Sequence, residues 1–560
     1  MADTSPYTLK DTDHVRKSEK VDLYAIQSLD DGCIEEQAHS SEGLHREMNS
    51  RHLTFISLGS VIGTGIFLGI GSTLSSSGPV GLVLAYSIIC SVVICVMLCV
   101  GEMVTYLPVV GAHLRLSGRF VDPSLCVAMS WNYWYCWALI AAAEVSAFSL
   151  LITYWTVAVP TAVWITLALV VILAVNLCGP RVYAEVEFYM SSIKVITIIG
   201  LIILGIVIDA GGGPSHDVIG FRYWNNPGPF VQYMNIPGTS GRFLGFFSGL
   251  TGAAFSSIGA EMLALAAAET KNPRRIIPTA IKATWVRVVL FYFCGAFIVS
   301  LIVSSDNAQL GTNSTAAASP YVIAIQAAGI ETLPSIINAC ILTSALSAGI
   351  GDCYTATRTL HSMAGKGMAP KIFGYTTSYG NPTVAACTTW LFGLLAYLSV
   401  SSGSSKVFNF LLNLTALAGI ITWLCIAISH IRFRAGLKAQ GIPYESLPYR
   451  NSISLFGAYW VIFVVSVVTL FSGWHVFSAW DTATFFGNYL PIGLFIIIFV
   501  VSKVCSKTKF VRASEMDLHS GVDEFARQHQ EAEEERSERR ASKDKFGGRV
   551  GGWLKAVTTG

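Results

Sequence analysis

The chain has 560 residues, of which 52% are apolar and only 13% charged, with 37 Lys and Arg against 35 Asp and Glu and a net charge of +2. Soluble domains carry about 25% charged residues, so a soluble multidomain enzyme is excluded, and the basic residues form no stripe of the kind that binds nucleic acid. The charge that exists sits at the ends: residues 1–52 hold 17 charged groups and residues 503–560 hold 22, leaving 33 for the long stretch between.

In chain order, residues 1–50 form a polar, irregular segment expected to be a solvated cytoplasmic arm, with Lys10, Lys17 and Lys20 as acceptors for a regulatory tag. They contain no apolar run of the signal-peptide type, so the first membrane span is expected to act as the insertion signal. A transmembrane helix needs about 20 mostly apolar residues. Twelve such segments follow, centred near residues 65, 90, 140, 168, 198, 256, 294, 343, 392, 420, 462 and 494. The loops after even-numbered spans hold fifteen Lys and Arg, whereas those after odd-numbered spans hold only Arg222, Arg242 and Lys406. The positive-inside rule therefore predicts cytoplasmic N- and C-termini. The sequon Asn313-Ser314-Thr315 would then lie outside, while Asn413-Leu414-Thr415 falls within a span. Residues 51–505 are read as one all-α polytopic membrane domain. Residues 506–560 are read as a second cytoplasmic tail, partly helical because Glu531-Ala-Glu-Glu-Glu-Arg-Ser-Glu-Arg-Arg540 mixes helix-forming charges of both signs. The 13 cysteines lie mostly in apolar runs, with no CxxC pair, and read as small buried hydrophobes.

Two spans break the membrane pattern. The first carries glycines at 59, 63, 65, 69 and 71, and the sixth, from Gly245 to Glu261, is also interrupted by glycine and serine. Small residues alone fit a packing seam. Two interrupted spans five apart, however, match an inverted-repeat transporter whose broken helices meet at the membrane midplane and hold an anionic substrate group on freed N–H groups. Ser60, Thr64 and Ser256 would add hydroxyl contacts, and Phe255 is the candidate lid. Ionisable residues inside spans mark a pathway or a static ion pair: Glu144 on span 3, Lys194 on span 5, Glu261 on span 6 and Asp352 on span 8. Burial disfavours the charged form of each, so a buried Lys or Glu can exchange a proton near neutral pH. Asp352 precedes Arg358 by six residues and could pair with it, and Glu102, at the inner end of span 2, is a weaker candidate. The aromatic run Trp131-Asn-Tyr-Trp-Tyr-Cys-Trp137 reads as structural. No HExxH, nucleotide-binding GxGxxG or P-loop occurs, so no enzyme activity, catalytic residue, metal or cofactor is expected.

The sequence resembles the fungal amino-acid permeases of the yeast amino-acid transporter family, within the amino acid–polyamine–organocation superfamily, over about residues 46–450. The resemblance rests on Gly63-Thr-Gly-Ile-Phe-Leu-Gly69, Gly101-Glu-Met103, Arg119-Phe-Val-Asp-Pro-Ser-Leu125, Trp131-Asn-Tyr-Trp134, Ile219-Gly-Phe-Arg-Tyr-Trp224, Ala268-Glu-Thr-Lys-Asn-Pro-Arg-Arg275 and Thr357-Arg-Thr-Leu360. It implies a fold of twelve transmembrane helices. These comprise a five-plus-five inverted repeat, about residues 51–210 and 243–433 with helices 1 and 6 broken, and two extra helices at about 453–505.

Function implied by the resemblance is proton-coupled amino-acid uptake at the plasma membrane. Ser60, Gly63, Thr64 and Gly65 would receive the substrate carboxylate, Ser256 and carbonyls near Gly259 the amino group, and Phe255 would occlude the site. Lys194 would stand where sodium-driven relatives bind their ion, its charge substituting for that cation; Lys194, Glu261 and Glu144 would carry the proton coupling, and span 8 lacks a Ser or Thr pair at Ile350-Gly351, as suits protons rather than sodium. The tails would meet a ubiquitin-ligase adaptor. Departures occur at Ser257, where the family usually has an aromatic residue, at Ala260, where it has Thr, and at Ile350-Gly351, where it has Asn-Ser, followed by the unusual Asp352. Ala142-Ala-Glu144 and Gly211-Gly-Gly-Pro-Ser-His-Asp217 look most like the proline and small-neutral branch. Two rivals stay open: a non-transporting amino-acid receptor, and a carrier of polyamine or choline-like amines with Glu144 or Asp352 as counter-ion.

Overall fold

The computed structural model describes residues 62–109, 111–262, 273–310, 319–377, 380–477 and 480–520. The arm 1–50, Ser60, the sequon 313–315 and the charged stretch 531–540 lie outside them. Among the described residues every regular element is helical. Nine helices are long and apolar enough to cross a membrane, the first of them, Gly65–Tyr106, long enough for two crossings.

That first helix, α1 (Ile70–Tyr106), folds back at Gly78, whose φ of +77° is barred to most residues, and Pro79 starts the return with no N–H to bond backward. A Cβ at Gly78 would stand 2.7 Å from Cα of Phe230, and the N–H of Val80 donates to the Pro229 carbonyl at 3.0 Å. The hairpin of spans 1 and 2 is thus pinned to the loop that precedes span 6.

A short helix α2 (Ala112–Phe120) connects to α3 (Pro123–Ile152), which begins on a proline, with Asp122 accepting the Ser124 N–H at 2.9 Å. The next spans are α4 (Thr161–Leu177), short at 17 residues, α5 (Pro180–Asp209) and α6 (Gly238–Ser257). Then come α7 (Ile277–Ile302), α8 (Leu333–Gly365), α9 (Thr383–Ser402), α10 (Ser404–Ala439), α11 (Ser454–Phe471) and α12 (Thr482–Ser506). With α1 taken as two crossings and the shorter α4 and less apolar α6 included, the described residues give the twelve expected crossings, with the breaks in the first and sixth.

The centre is α3, whose residues are buried along almost the whole length and which packs on α8 and α10. At the periphery α11 exposes Phe456, Tyr459, Phe463 and Leu470, a stripe at helical spacing, and α12 exposes Ile496, Ile497, Val500 and Val504. Such apolar faces are stable only against lipid. Residues 508–520 return along one end of the bundle. Val511 N–H donates to Val121 O at 2.9 Å, Arg119 pairs with Asp517 at 2.7 Å, Gln440 donates to the Met516 carbonyl at 2.6 Å, and Met516 and Leu518 are buried. This end therefore gathers the connection between spans 2 and 3, the C-terminal end of α10 and the end of α12, as the loop-charge count requires.

Candidate functional site

The two breaks lie against each other. In span 1, Ile62, Gly63 and Thr64 precede a five-residue π-helical turn, Gly65–Gly69, in which the Thr64 carbonyl accepts from Phe67, Leu68 and Gly69 at 3.2, 2.7 and 3.2 Å. In span 6 the helix stops at Ser257, Ile258 turns to ψ 143°, and Gly259 takes φ +97°. Helix termini leave N–H and C=O groups without intrahelical partners, so both breaks present backbone polarity inside an apolar bundle. They meet closely: a Cβ on Gly65 would lie 2.8 Å from Cα of Ser256. Ser256 Oγ shares a 2.9 Å bond with the hydroxyl of Tyr86 and donates to Gly252 O at 3.2 Å. Phe255 packs edge to face on Phe408 of α10 with centroids 6.1 Å apart.

Glu144, 2% exposed, reaches the start of the half-helix: its Oε1 accepts the Thr64 N–H at 3.1 Å and the Thr64 hydroxyl at 3.0 Å, while Oε2 has no hydrogen-bond partner. A carboxylate on the N–H of a helix start is the favourable arrangement for an anion. Gly63 is glycine for the same reason, since a Cβ there would stand 2.6 Å from that oxygen.

Lys194 is wholly buried and lies 3.6 Å from Glu187 of its own helix. Glu187 also accepts from Ser191 at 2.8 Å and from Ser347 of α8 at 2.8 Å, and Ser344 Oγ reaches the Ile62 carbonyl at 3.4 Å. Reading the sequence missed Glu187, Ser344 and Ser347. Glu187, Ser191 and Lys194 follow the four-then-three spacing of one helix face, which was the available signal. Ser347 and Ser344 stand about one and two turns before the Ile350-Gly351 positions that lack hydroxyls. Asp352, 4% exposed, lies within electrostatic reach of Glu144, Lys194 and Glu187 with Oδ2 unbonded. It forms no ion pair with Arg358 among the described residues; Arg358 lies over the Tyr354 ring at 4.7 Å instead.

Glu261, just past the second break, sits in a separate network, accepting from Trp423 Nε1 at 3.1 Å. Glu102 is a structural knot: His430 Nε2 (2.8 Å), Tyr444 hydroxyl (2.7 Å), Asn451 N–H (2.9 Å) and Ser454 hydroxyl (2.8 Å) all meet its carboxylate. Around Trp131 the aromatic run is largely structural too. Trp131 donates to Met368 O, Trp134 to Thr389, and Asn132 to Ala418 O.

The chain matches the amino acid permease family over residues 52–515. It is 41% identical to the proline-specific permease of Emericella nidulans, with 89% of this chain and 91% of that one aligned. To the proline-specific permease of Saccharomyces cerevisiae it is 38% identical, covering 90% and 82%. To the dicarboxylic amino acid permease of the same yeast it is 37% identical, covering 90% and 84%. Among solved structures, a variant of the manganese transporter of Eremococcus coleocola superposes with a TM-score of 0.52 at 12% identity, covering 82% of this chain and 97% of that one. That last likeness is one of fold alone. With the family match running from before the first break to beyond the last span, the chain belongs to the amino acid permease family, in its yeast amino-acid transporter branch, and is a multi-pass membrane transporter of amino acids.

Proposed function

We propose that the protein is a proton-coupled amino-acid importer of the plasma membrane, working by alternating access, with proline or small neutral amino acids as substrates. The observation that carries this reading is Glu144 seated on the Thr64 N–H. An incoming amino-acid carboxylate needs the same donor, and two carboxylates a few ångströms apart cannot both be ionised at low cost. A proton taken up by Glu144 weakens it as an acceptor and frees the half-helix for substrate. Proton and substrate thus favour one another's binding, which is the requirement for symport. Each proton moving inward down the membrane potential supplies about 2.3 kcal/mol per 100 mV.

In this reading Gly63, Thr64 and Gly65 hold the carboxylate, with Ser60 preceding them. Carbonyls at the Ser256–Gly259 break hold the amino group, and Phe255 with Phe408 shuts the outer side. Lys194, paired with Glu187 of its own helix, and Glu261 share the proton coupling with Glu144. The repeats run over about 51–210 and 243–433, both termini are cytoplasmic, and the tails are the contact for a ubiquitin-ligase adaptor. The proline preference draws on the proline-specific permeases of Emericella nidulans and Saccharomyces cerevisiae.

The test is uptake of labelled proline by permease-deficient fungal cells at acidic and near-neutral external pH, with other amino acids and with amines lacking a carboxylate as competitors. Accumulation that is stimulated by acid and abolished by an uncoupler is the expected result. Binding without accumulation by surface-exposed protein would move the assignment to a receptor, and competition by amines alone to an amine carrier. Lys194→Ala should abolish accumulation with the protein still at the membrane.

A further inference from the structure

One buried histidine has no part in the site just described. His113, in α2 between spans 2 and 3, is 1% exposed, and neither ring nitrogen has a hydrogen-bond partner. Its ring meets Tyr133 of α3 edge on, with centroids 5.7 Å apart. The Tyr133 hydroxyl is likewise buried. Tyr133 in turn meets Trp137 with ring centroids 5.7 Å apart, the buried indole N–H lying on the Tyr133 side. Beyond them stands Glu261, within electrostatic reach of Tyr133, with its Oε1 unbonded.

Tightly packed interiors leave few buried polar atoms unsatisfied, because each one costs free energy. Both nitrogens of His113 and one oxygen of Glu261 are such atoms, and Tyr133, in ring contact with His113 and within electrostatic reach of Glu261, stands between them. The route has a direction. Tyr133 is eleven residues from Glu144 along α3, about 16 Å at 1.5 Å per residue. His113 lies in the same end of the bundle that receives residues 508–520, the cytoplasmic end in the reading above. The aromatic edges around it are apolar, but the atoms they carry are donors and acceptors at which water can bind once that face opens.

We propose that Tyr133 and His113 form the cytoplasmic release path for the coupled proton, with His113 as its last relay. The inference rests on the proton-coupled reading of the site and adds the exit to it. Once the coupled proton has passed from Glu144 through water to Glu261, which shares the proton coupling in that reading, the Glu261 carboxyl gives it through water to the Tyr133 oxygen as the phenol passes its own onward. The imidazole accepts at one nitrogen and releases from the other to the cytosol, so that only O–H and N–H bonds are exchanged.

Desolvation alone pushes the His113 imidazole down to about 3 from its ordinary 6.5. The ring is therefore neutral while the face is closed, and gains basicity as water enters. A proton is accepted when the path is open and cannot rest there when it is shut. Two cations, Lys366 and Arg115, lie by Gly111, two residues from His113, and other charged groups on the packed elements are paired. Glu102 of α1 is bound to His430 and Arg434 of α10, and Arg119 of α2 to Asp517. From α3, Tyr133 is the titratable group facing the ring.

The experiment uses the full chain in proteoliposomes with an internal pH dye, following labelled proline together with proline-driven proton entry. Exchange of internal for external proline needs no proton release and serves as the internal reference. His113→Phe, which keeps the packing volume, is expected to lower net proton-coupled uptake at least tenfold while exchange stays within twofold of wild type. Tyr133→Phe, which deletes only the hydroxyl oxygen, should lower net uptake in the same sense, and it provides the reading if His113→Phe fails to reach the membrane. Equal losses of net uptake and exchange, or a wild-type ratio between them in either variant, would overturn the path. Wild-type protein that moves proline without any proton entry would instead overturn the proton coupling itself, and the path with it.

Discussion

The close approach of the two broken helices yields the most specific prediction. At Gly65 an added methyl would meet Ser256 Cα at 2.8 Å, its Oγ at 2.9 Å and its Cβ at 3.2 Å. The nearest of these atoms is backbone, so no side-chain rotation can relieve the contact. Carbon atoms pack at about 3.5–4.0 Å, so the two breaks must separate by about 1 Å. Overpacking of this kind costs about 1–3 kcal/mol, which converts to about 5- to 150-fold in affinity at 1.4 kcal/mol per tenfold. Gly69, one turn along the same helix, is the control: its added methyl would find Leu412 at 3.5 Å and Ser256 Oγ at 3.9 Å, ordinary contacts. Gly65→Ala should therefore raise the KM for the transported amino acid within that range at unchanged surface abundance, and Gly69→Ala should leave it within about twofold, both read from initial uptake rates. Wild-type KM in Gly65→Ala, or an equal rise in Gly69→Ala, would refute the account of the site as two breaks in contact.

Three further outcomes follow from the side-chain networks. Glu187→Gln removes the buried ion pair with Lys194 and should lower stability by up to about 3–5 kcal/mol. The double variant Glu187→Gln with Lys194→Met should recover thermal stability in detergent, and a double variant no more stable than the single would contradict the pairing. Glu102→Ala removes the acceptor shared by His430, Tyr444, Asn451 and Ser454 and should lower stability by about 3 kcal/mol or more, seen as a fall in Tm before any effect on KM. Asp517 is partly buried, which works against its charge. Even so, the bonds from Ser520 and the Arg119 guanidinium outweigh that and hold its carboxyl below the usual aspartate range. A lowered value means that the contribution is full above the ordinary pKa and is lost only as pH falls through the lower, folded one. Hydrogen exchange over residues 508–520 should therefore be unchanged from pH 8 to pH 5 after correction for the intrinsic rate. Asp517→Asn should speed it by a few-fold at neutral pH, as expected for a half-exposed pair.

Much of this fold was legible because a membrane leaves few alternatives, and apolar length gives the spans. The breaks were legible because glycine and serine accumulate where helix cannot be kept, and Thr64 and Ser256 do lie at them. What escaped was pairing between spans. Glu187 stands seven residues inside α5 and reads as a charge near a span end. Only the bundle shows Ser347 of α8 bonded to it, 160 residues away. Tyr86 and Trp423 escaped for the same reason, since nothing in an aromatic residue's own neighbourhood announces a distant serine or carboxylate. The expectation that Asp352 could pair with Arg358 rested on nearness along the chain. A six-residue step leaves the two on different sides of a helix, and the arginine takes the Tyr354 face.

The fold-back at Gly78 bears on how the outer side can open. Because Phe230 and Pro229 close over that glycine and hold the Val80 amide, the tip joining spans 1 and 2 is riveted to the lead-in of α6. Neither broken helix can swing alone at that end without tearing the rivet. In the proposed topology this end faces outward, and opening there would then carry spans 1, 2 and 6 together, a hinged wall three helices thick. Substitutions in the loop at residues 229–231, remote from any substrate atom, would then change the rate of opening while leaving the grip on substrate intact.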